Sequence, residues 1–390
     1  MSIRQWKAAI SQAEPCWFDI KAGVAKTIKL IEEASANGAA LIAFSEVWLP
    51  GYPNFLWSGT YVENIQNVFN YRKNSITADG PEVISIRRAA RENNIYVALG
   101  FSERVAGTLY LASMLIGANG DVLRHRRKIK PTHLERTLFG DSTGDSLHNV
   151  VDTPLGKIGM LNCWEHIQPL LKYNTWAQGE EVHIAMWPFN GPHLGAEPWS
   201  VCSDANELTM SRAYSIEGQV YTLVCNQPVS VEGNKMNSVG HADTKGSFMH
   251  SGGGGRAAVF QPDGRQVTEP TDPEFDGILY CDIDLDQIDY AKALADPVGH
   301  YSRPDMLRLL VDDQPKNYVV KVAHEQSPGI AMTTAKTITE MHKTLQEIDG
   351  EKKQTETLLY IPTDLNNGYK FNIKWIHMAT SGYSSPGALI

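Results

Sequence analysis

Eight short apolar runs recur in the first 285 residues of the chain, and each ends in turn-forming or polar residues. The runs are AALIAF (39–44), IYVALGF (95–101), LYLASMLIG (109–117), KIGMLN (157–162), VHIAMWP (182–188), VYTLVCN (220–226), RAAVFQ (256–261) and GILYCDIDL (277–285). Their length and their branched or aromatic content are typical of strands that are buried between layers. They predict a protein built on buried sheets.

Helical patterns separate several of these runs and span residues 19–38, 81–94 and 203–219. Asp19 is suited to cap the first helix, and Pro81 is suited to the first position of the second. Two pairs of runs carry hairpin turns, at NG (119–120) and at PDG (262–264). This mixture predicts an α/β fold with two sheets and with helices outside them.

Charge and hydropathy argue against several classes of partner. The formal net charge of −9 disfavours a surface for nucleic acid or for an anionic membrane. No run approaches the roughly 20 consecutive apolar residues that a membrane span needs. The N-terminal MSIRQWKAAISQAEP lacks the apolar stretch of a signal peptide. We therefore expect no nucleic-acid partner, no membrane segment and a cytoplasmic location.

The cysteines are widely scattered, and they are Cys16, Cys163, Cys202, Cys225 and Cys281. Their number is odd and they form no CxxC pair, which weakens both a disulfide framework and a structural zinc site. We expect five free thiols in a reducing cytosol, most of them small core residues.

The alternation of runs and helices weakens after residue 313. We predict a catalytic domain of residues 1–313 and a C-terminal tail of residues 314–390. The tail contains the apolar pieces YVVKVA (318–323), TLLYIP (357–362) and YKFNIKWIHM (369–378). Exposed apolar patches usually mark contact surfaces, so we expect the tail to pack on neighbouring subunits. A disordered tail on a simple dimer is the alternative.

Cys163 lies in MLNCWEH (160–166), where a buried strand ends and polar residues begin. A strand-to-helix turn can lift a nucleophile out of the core and place N–H groups beside a developing anion. The competing interpretation is a packing thiol. A packing thiol has no need of Trp164, Glu165 and His166 beside it, which offer a stacking face, a carboxylate and an imidazole. The segment therefore favours a nucleophile.

Two further segments could activate such a thiol, because an ordinary cysteine with a pKa of about 8.5 is only slightly ionised at neutral pH. LRHRRKIKPTHLER (123–136) is the most basic stretch of the chain, and Lys128 or Lys130 could supply positive charge. In AFSEVWLPGYP, Glu46 ends a buried strand. In an apolar pocket beside Trp48 its pKa would rise, and it could then shuttle protons. A solvated basic loop and a turn cap are the alternatives.

These three segments resemble the motifs of the nitrilase superfamily, and of its nitrilase branch in particular. The glutamate motif matches FSEVWLPGYP at Glu46, and the cysteine motif Asn-Cys-Trp-Glu-His matches NCWEH at Cys163. The lysine motif Arg-Lys-x-x-Pro-Thr matches RKIKPT, which selects Lys128. A further glutamate of the family falls on Glu135 in HLER. Three motifs in the right order make the resemblance specific, and it covers about residues 4–310.

The resemblance implies a four-layer α-β-β-α sandwich and an enzyme that hydrolyses a nitrile to a carboxylic acid and ammonia without a cofactor. Cys163 would be the nucleophile, passing through a thioimidate and a thioester. Glu46 would be the general base, Lys128 would stabilise the tetrahedral intermediate, and Glu135 would position Lys128 or the substrate. The side chains implied to bind substrate are Tyr52, Trp164, Glu165, His166 and Trp187.

Two positions depart from the family pattern. Ser45 stands where proline usually precedes the glutamate, and Phe189 stands where glycine is frequent. Both bear on pocket shape and therefore on substrate preference. The histidines that could suggest zinc are His166, His183, His193 and His241. They lack a compact ligand spacing, so we expect no metal.

Several alternatives stay open at this point. A cyanide hydratase or dihydratase shares the Cys-Trp-Glu-His segment. An amidase or carbamoylase is disfavoured by Trp-Glu-His after the cysteine, and a non-catalytic scaffold is disfavoured by the complete set of Glu46, Lys128 and Cys163. Nitrilases that resemble this chain form dimers that stack into larger spirals, so the resemblance implies a homo-oligomer larger than a dimer.

Overall fold

Strands and helices alternate in the computed structural model, which describes residues 3–190, 205–237, 252–317, 319 and 320. The strands are β1 (Gln5–Gln12), β2 (Ala39–Ala43), β3 (Tyr96–Val105), β4 (Thr108–Ile116), β5 (Val122–Arg127), β6 (Val150–Thr153), β7 (Gly156–Asn162), β8 (Val182–Met186), β9 (Tyr221–Cys225), β10 (Ala258–Phe260) and β11 (Gly277–Asp284). The helices are α1 (Ile20–Ala36), α2 (Ile65–Asn74), α3 (Pro81–Glu92), α4 (Pro169–Ala177), α5 (Ala205–Gly218), α6 (Val231–Asn237) and α7 (Asp286–Leu294). Each of the eight apolar runs overlaps a strand, and each of the three helical patterns contains a helix.

The described strands form two mixed sheets, one in the order β11-β1-β2-β3-β4-β5 and the other in the order β10-β9-β8-β7-β6. β1, β2 and β3 run parallel to one another, and so do β7, β8 and β9. Antiparallel strands flank both parallel sets. The predicted hairpin at residues 119–120 joins β4 and β5, whereas the turn at residues 262–264 is followed by a single bridge between Phe260 and Gln266.

Alternate residues of the strands face different layers, as the two-residue period of a strand requires. Leu41 of β2 lies in the apolar cluster that includes Met160 of β7, between the two sheets. Its neighbour Ile42 packs with Ile31 of α1 and with α3 on the outer face of the first sheet. Leu161 packs with α4 and α5 on the outer face of the second sheet. The layers are therefore helices, sheet, sheet and helices, and the predicted α-β-β-α sandwich is confirmed.

The chain divides into a unit of residues 1–317 and a second unit of residues 318–390. Nearly all of the predicted tail beyond residue 317 lies outside the described residues, as do Cys202, His193 and His241. The domain boundary at residue 313 stays a prediction. Asp313 Oδ2 lies 2.9 Å from His148 Nε2, so the chain still contacts the sandwich at that residue.

Two general features of the described residues bear on the compartment. Their cysteines are all free thiols, namely Cys16, Cys163, Cys225 and Cys281. No helix in the described part of the chain has the length and the apolar character needed to cross a membrane.

Candidate active site

Four side chains meet at the ends of β2, β5 and β7. Lys128 Nζ lies 2.9 Å from Glu46 Oε1 and 2.9 Å from Glu135 Oε2. One carboxylate oxygen each of Glu46 and Glu135 and the sulfur of Cys163 all lie within 4.8 Å of one another. All four side chains are buried. We call Glu46, Lys128, Glu135 and Cys163 the reaction cluster.

Lys128, and not Lys130, belongs to the reaction cluster. Lys128 directly follows β5, and its residue is only 1% exposed. The ammonium of Lys130 points outward and pairs with Asp141 at 2.6 Å, with both side chains about half exposed. The cation between Glu46 and Glu135 is thus the Lys128 ammonium, in the place where the carboxylates and the thiol would otherwise suggest a metal ion.

Burial and charge set the protonation of the reaction cluster. Burial raises the pKa of Glu46 to about 8, against the opposing charge of Lys128. Burial lowers the pKa of Lys128, but the carboxylates of Glu135 and Glu46 outweigh it and hold that pKa well above its usual range. Glu46 Oε2 has no hydrogen-bond partner among the described residues. Lys128 is therefore a fixed ammonium, and Glu46 can exchange a proton near neutral pH.

Cys163 sits in a left-handed backbone conformation, with φ 48°. Residues other than glycine rarely adopt it, and such strain concentrates at functional sites. Burial raises the pKa of the Cys163 thiol, the charge of Lys128 lowers it, and Glu46 and Glu135 raise it, for a net value well above the usual range. The thiol is consequently protonated at rest, and it becomes a thiolate only when a base takes its proton.

The loop that carries Glu46 is held by the side chain of Gln227 and by the backbone of β3. Gln227, just after β9, donates through Nε2 to Glu46 O at 2.7 Å and to Ser45 Oγ at 3.1 Å. Its Oε1 accepts from Tyr52 N at 3.0 Å. On β3, a Cβ atom at Gly100 would lie only 2.1 Å from Ser45 O, so the loop rests against bare backbone. Ser45 thus supplies an acceptor for Gln227 that a proline could not.

Trp48 faces α1 instead of forming the predicted pocket for Glu46. Its Nε1 donates to Thr27 Oγ1 at 2.7 Å, and its ring stacks on Phe44 at a centroid distance of 5.3 Å. The raised pKa of Glu46 comes from burial and from the nearby charge of Glu135. The direction of the expected shift and burial as its main cause agree with the structure.

Glu135 accepts three hydrogen bonds that orient it toward Lys128. Besides the lysine ammonium, Thr132 N donates to Oε2 at 2.7 Å and Tyr52 OH donates to Oε1 at 2.9 Å. Glu135 and Thr132 also cap the short 3-10 helix His133–Thr137. This helix follows residues 128–132, which we call the lysine loop. Tyr52 therefore contacts a member of the reaction cluster directly.

Glu165 joins the lysine loop to the short helical turn Cys163–Ile167, which we call the cysteine turn. Both of its oxygens accept from the guanidinium of Arg126, at 2.7 and 2.8 Å. Ile129 N donates to Oε1 at 2.9 Å and Asn162 N donates to Oε2 at 2.8 Å. Because the protein itself supplies these four bonds, the geometry favours a role for Glu165 in holding the two loops, and its contact with substrate stays a prediction. The basic stretch contained the signal for Arg126, but only the fold shows its partner.

His166 contacts the backbone of Cys163, and Trp187 stacks on His166. His166 is buried, with Nδ1 2.6 Å from Cys163 O and Nε2 2.9 Å from His183 Nε2. The ring of Trp187 stacks on His166 at 5.1 Å, and its Nε1 donates to Ser211 Oγ at 3.0 Å. These contacts favour support of the cysteine turn over direct contact with substrate, which stays a prediction for both residues.

Trp164 and Phe189 occupy different surroundings. Trp164 is only partly buried and meets the exposed His133 edge to face at 6.4 Å. Phe189 is buried against Trp17 and Val229, and a Cβ at Gly254 would lie 2.0 Å from its ring. The glycine-rich loop therefore makes room for the phenylalanine that stands where the family often has glycine.

The assignment to a family comes from comparison with known proteins. The carbon-nitrogen hydrolase family matches residues 7–293, which include the whole reaction cluster. The chain belongs to this family.

Two relatives match the chain over most of their own length. A cyanide hydratase of Stereum hirsutum is 48% identical over 326 residues, covering 82% of this chain and 87% of that protein. An arylacetonitrilase of Aspergillus kawachii is 47% identical over 318 residues, covering 81% of this chain and 94% of that protein. Membership of the family makes the chain a hydrolase of carbon–nitrogen bonds.

Solved structures of other proteins share the fold. The NitFhit protein of C. elegans aligns with a TM-score of 0.62 at 18% identity, covering 82% of this chain and 70% of that one. A carbon-nitrogen hydrolase of Helicobacter pylori aligns with a TM-score of 0.61 at 18% identity, covering 77% and 96%. At this identity the likeness shows the architecture alone.

Proposed function

We propose that this chain hydrolyses an organic nitrile to the carboxylic acid and ammonia. The observation that carries the proposal is the reaction cluster, in which a thiol, two carboxylates and an ammonium lie together in a buried site. Such a set can attack an electrophilic carbon, move protons and stabilise a developing negative charge without a metal. The relatives named arylacetonitrilase and cyanide hydratase support a C≡N group as the substrate.

The first half of the reaction forms a covalent thioimidate. Glu46 accepts the Cys163 proton as the sulfur attacks the nitrile carbon, and the proton passes to the nitrile nitrogen. The C–S bond replaces one π bond of the nitrile, so charge develops on nitrogen in the transition state. The Lys128 ammonium stabilises that charge from its fixed position between Glu46 and Glu135.

Two molecules of water complete the reaction. Glu46 takes a proton from the first water as it adds to the thioimidate, and the nitrogen is protonated and leaves as ammonia, which gives a thioester. The second water attacks the thioester carbon, and cleavage of the C–S bond returns the thiol and releases the acid. In this scheme Glu135 is a positioning residue, because its bonds run to Lys128, Tyr52 and Thr132.

A cyanide hydratase is the second candidate, because relatives with that name match the chain as well as the arylacetonitrilase does. It differs in one bond. If the tetrahedral intermediate expels the thiol before ammonia leaves, the product is an amide and only one water is consumed. The same reaction cluster serves both outcomes, so the products must be measured.

The test measures ammonia, acid and amide released from benzonitrile, aliphatic nitriles, arylacetonitriles, cyanide and amides. We expect ammonia and acid from at least one organic nitrile, and no turnover by folded Cys163→Ala on any substrate. Amide from cyanide alone would favour the cyanide hydratase. Release of ammonia only from amides, or turnover retained by Cys163→Ala, would contradict the proposed function.

We also propose that the working form is a homo-oligomer of stacked dimers in the cytoplasm. Large apolar side chains near residue 313 support subunit contacts, since Leu294, Leu307 and Leu310 are 84%, 82% and 92% exposed. The free thiols of the described cysteines are suited to a reducing compartment. For the substrate contacts, we propose Trp164 and Tyr52, which adjoin the reaction cluster, with Glu165, His166 and Trp187 supporting the cysteine turn.

A further inference from the structure

A row of buried polar side chains leads away from Cys163, and the mechanism above does not use it. His166 Nδ1 lies 2.6 Å from Cys163 O, and His166 Nε2 lies 2.9 Å from His183 Nε2. His183 Nδ1 lies 2.6 Å from Glu180 Oε1, and Tyr214 OH donates to Glu180 Oε2 at 2.6 Å. We call His166, His183, Glu180 and Tyr214 the histidine chain.

The fold makes room for the histidine chain. All four side chains are fully buried, and the rings of His183 and Tyr214 stack with centroids 3.8 Å apart. On β7, a Cβ atom at Gly159 would lie 1.9 Å from Glu180 Oε1, so the carboxyl occupies space that only glycine leaves open. An acidic side chain buried in this way is costly unless every polar atom has a partner, and here both oxygens do.

Hydrogen-bond chemistry fixes where the protons lie. A carbonyl oxygen can only accept, so His166 Nδ1 must carry a hydrogen. If His166 is neutral, its Nε2 accepts and His183 Nε2 must donate. His183 Nδ1 then accepts, and Glu180 Oε1 must donate as a protonated carboxyl group. The three gaps from Cys163 O to Glu180 therefore hold one proton each.

The surroundings favour this neutral form over one with charged histidine and carboxylate. Burial lowers the pKa of His166 to about 3 and lowers that of His183 well below its usual range. Burial raises the pKa of Glu180 to about 8. The charged groups that face the histidine chain from neighbouring elements are Glu165, Lys172, Arg126 and Lys292. Their charges are of both signs and do not overturn the effect of burial.

We propose that Glu180, His183 and His166 are positioning residues that hold the Cys163 carbonyl, and with it the left-handed backbone that aims the thiol. The inference rests on the proposed function only in assuming that the oriented Cys163 thiol attacks a nitrile. The histidine chain works while each gap contains a proton. If one proton is lost, two acceptors face each other in at least one gap. The hydrogen bonds that position the Cys163 carbonyl are then weakened.

Glutamine at residue 180 separates this proposal from a merely structural role. An amide N–H can donate to His183 Nδ1 as a protonated carboxyl does, while its oxygen accepts from Tyr214, but an amide cannot lose the proton. Glu180→Gln should keep kcat within about twofold of the wild type at neutral pH, whereas Glu180→Ala should lower kcat by roughly 10- to 100-fold with KM little changed. Glu181→Gln is the matched control, since Glu181 bonds Lys157 N at 2.8 Å outside the histidine chain.

The pH dependence gives the second readout. We expect wild-type kcat to fall on the alkaline side as the histidine chain loses a proton, and we expect Glu180→Gln to move that limb to higher pH. Folding is checked by circular dichroism, and Tyr214→Phe, which removes a single donor to Glu180, should have a smaller effect than Glu180→Ala. A folded Glu180→Gln protein as inactive as Glu180→Ala, or one with an unchanged alkaline limb, would overturn the proposal.

A third arm needs no nitrile substrate. The rate at which iodoacetamide alkylates Cys163 at neutral pH reports the presentation of the thiol directly. It should fall in Glu180→Ala and stay near the wild-type rate in Glu180→Gln and Glu181→Gln. Equal alkylation rates in all four proteins would overturn the inference. If no nitrile is hydrolysed but the alkylation rates separate as expected, the proposed function fails while the histidine chain stands.

Discussion

At the scale of single residues, burial changes the strength of the proposed base, Glu46. A carboxylate with an ordinary pKa near 4.3 would accept a proton from a thiol only at a large energetic cost. Burial raises the pKa of Glu46 to about 8, which narrows the gap to the thiol of Cys163. A base of higher pKa takes a proton from a thiol at a smaller energetic cost, so the raised pKa suits Glu46 to the proposed role of general base.

The raised pKa of Glu46 predicts an unusual acidic limb in the pH profile. Glu46 must be ionised to accept a proton, and its folded-state pKa is raised to about 8. We expect kcat/KM to fall about tenfold per unit as the pH drops below the limb, which should lie well above the ordinary carboxyl range. Glu46→Gln should be inactive at every pH. A profile that stays flat down to the ordinary carboxyl range would contradict the assignment of Glu46 as the base.

The two lysines near the end of β5 provide a matched pair for mutation. Lys128→Arg should lose most activity, because a planar guanidinium cannot replace a compact ammonium in contact with two buried carboxylates. Lys130→Ala should keep most activity, because its ammonium pairs with Asp141 at the surface. Initial rates on one nitrile test both. The opposite result, an inactive Lys130→Ala with an active Lys128→Arg, would show that the wrong lysine has been assigned.

At the scale of elements, one carboxylate joins segments that are far apart in sequence. Glu165 binds Arg126 of β5, the backbone after β5 and the backbone at the end of β7. The lysine loop and the cysteine turn are thus fixed to each other by a buried, bidentate ion pair. Removing one partner of such a buried ion pair strongly destabilises a protein, because the other charge stays buried without compensation.

Loss of that ion pair should be felt in stability before activity. Arg126→Met leaves the Glu165 carboxylate without its cation and should cost about 3–5 kcal/mol in the free energy of unfolding. Chemical denaturation checks this, with Lys130→Met as the control at an exposed site. The double variant Arg126→Met with Glu165→Gln should recover part of the loss, since no buried charge is left over. A loss for Arg126→Met no larger than that for Lys130→Met would contradict the role of the pair.

Sequence reasoning worked for elements with a dense apolar pattern and failed where pairing is distant. Strand β2 is an uninterrupted apolar run, so its burial between layers could be predicted. β1 was missed, although it lies between β11 and β2, because Lys7 and Ser11 break up a segment rich in alanine. The motifs located the reaction cluster, but no local pattern connects Arg126 to Glu165 or His166 to His183. The first contact joins β5 of one sheet to the turn that follows β7 of the other sheet, and the second exists only once β7 and β8 lie side by side.

At the scale of the whole molecule, the sandwich leaves apolar surface exposed next to the predicted tail. Leu307 and Leu310, just before residue 313, are 82% and 92% exposed. Single exposed apolar residues are common, but a series of them along one segment is typical of a contact surface. This agrees with the predicted role of the tail in subunit contacts, which remains to be tested.

Truncation distinguishes an assembling tail from a passive one. A chain ending at residue 317 keeps the contact between Asp313 and His148, so the sandwich should still fold. We expect light scattering to show a full-length particle larger than a dimer and a smaller particle for the truncated chain. Circular dichroism checks that the truncated chain is folded. A full-length particle of dimer mass that truncation does not change would contradict the predicted assembly.

Gly100 has no functional group, yet it decides whether the catalytic loop can exist. Any side chain there would enter the space of the Ser45 carbonyl, one residue before Glu46. Screens that randomise only the residues around the substrate would therefore overlook a position at which nearly every change disables the enzyme. Natural variants at this glycine should likewise be interpreted as losses of function, although nothing about a glycine in the middle of a strand marks it as part of an active site.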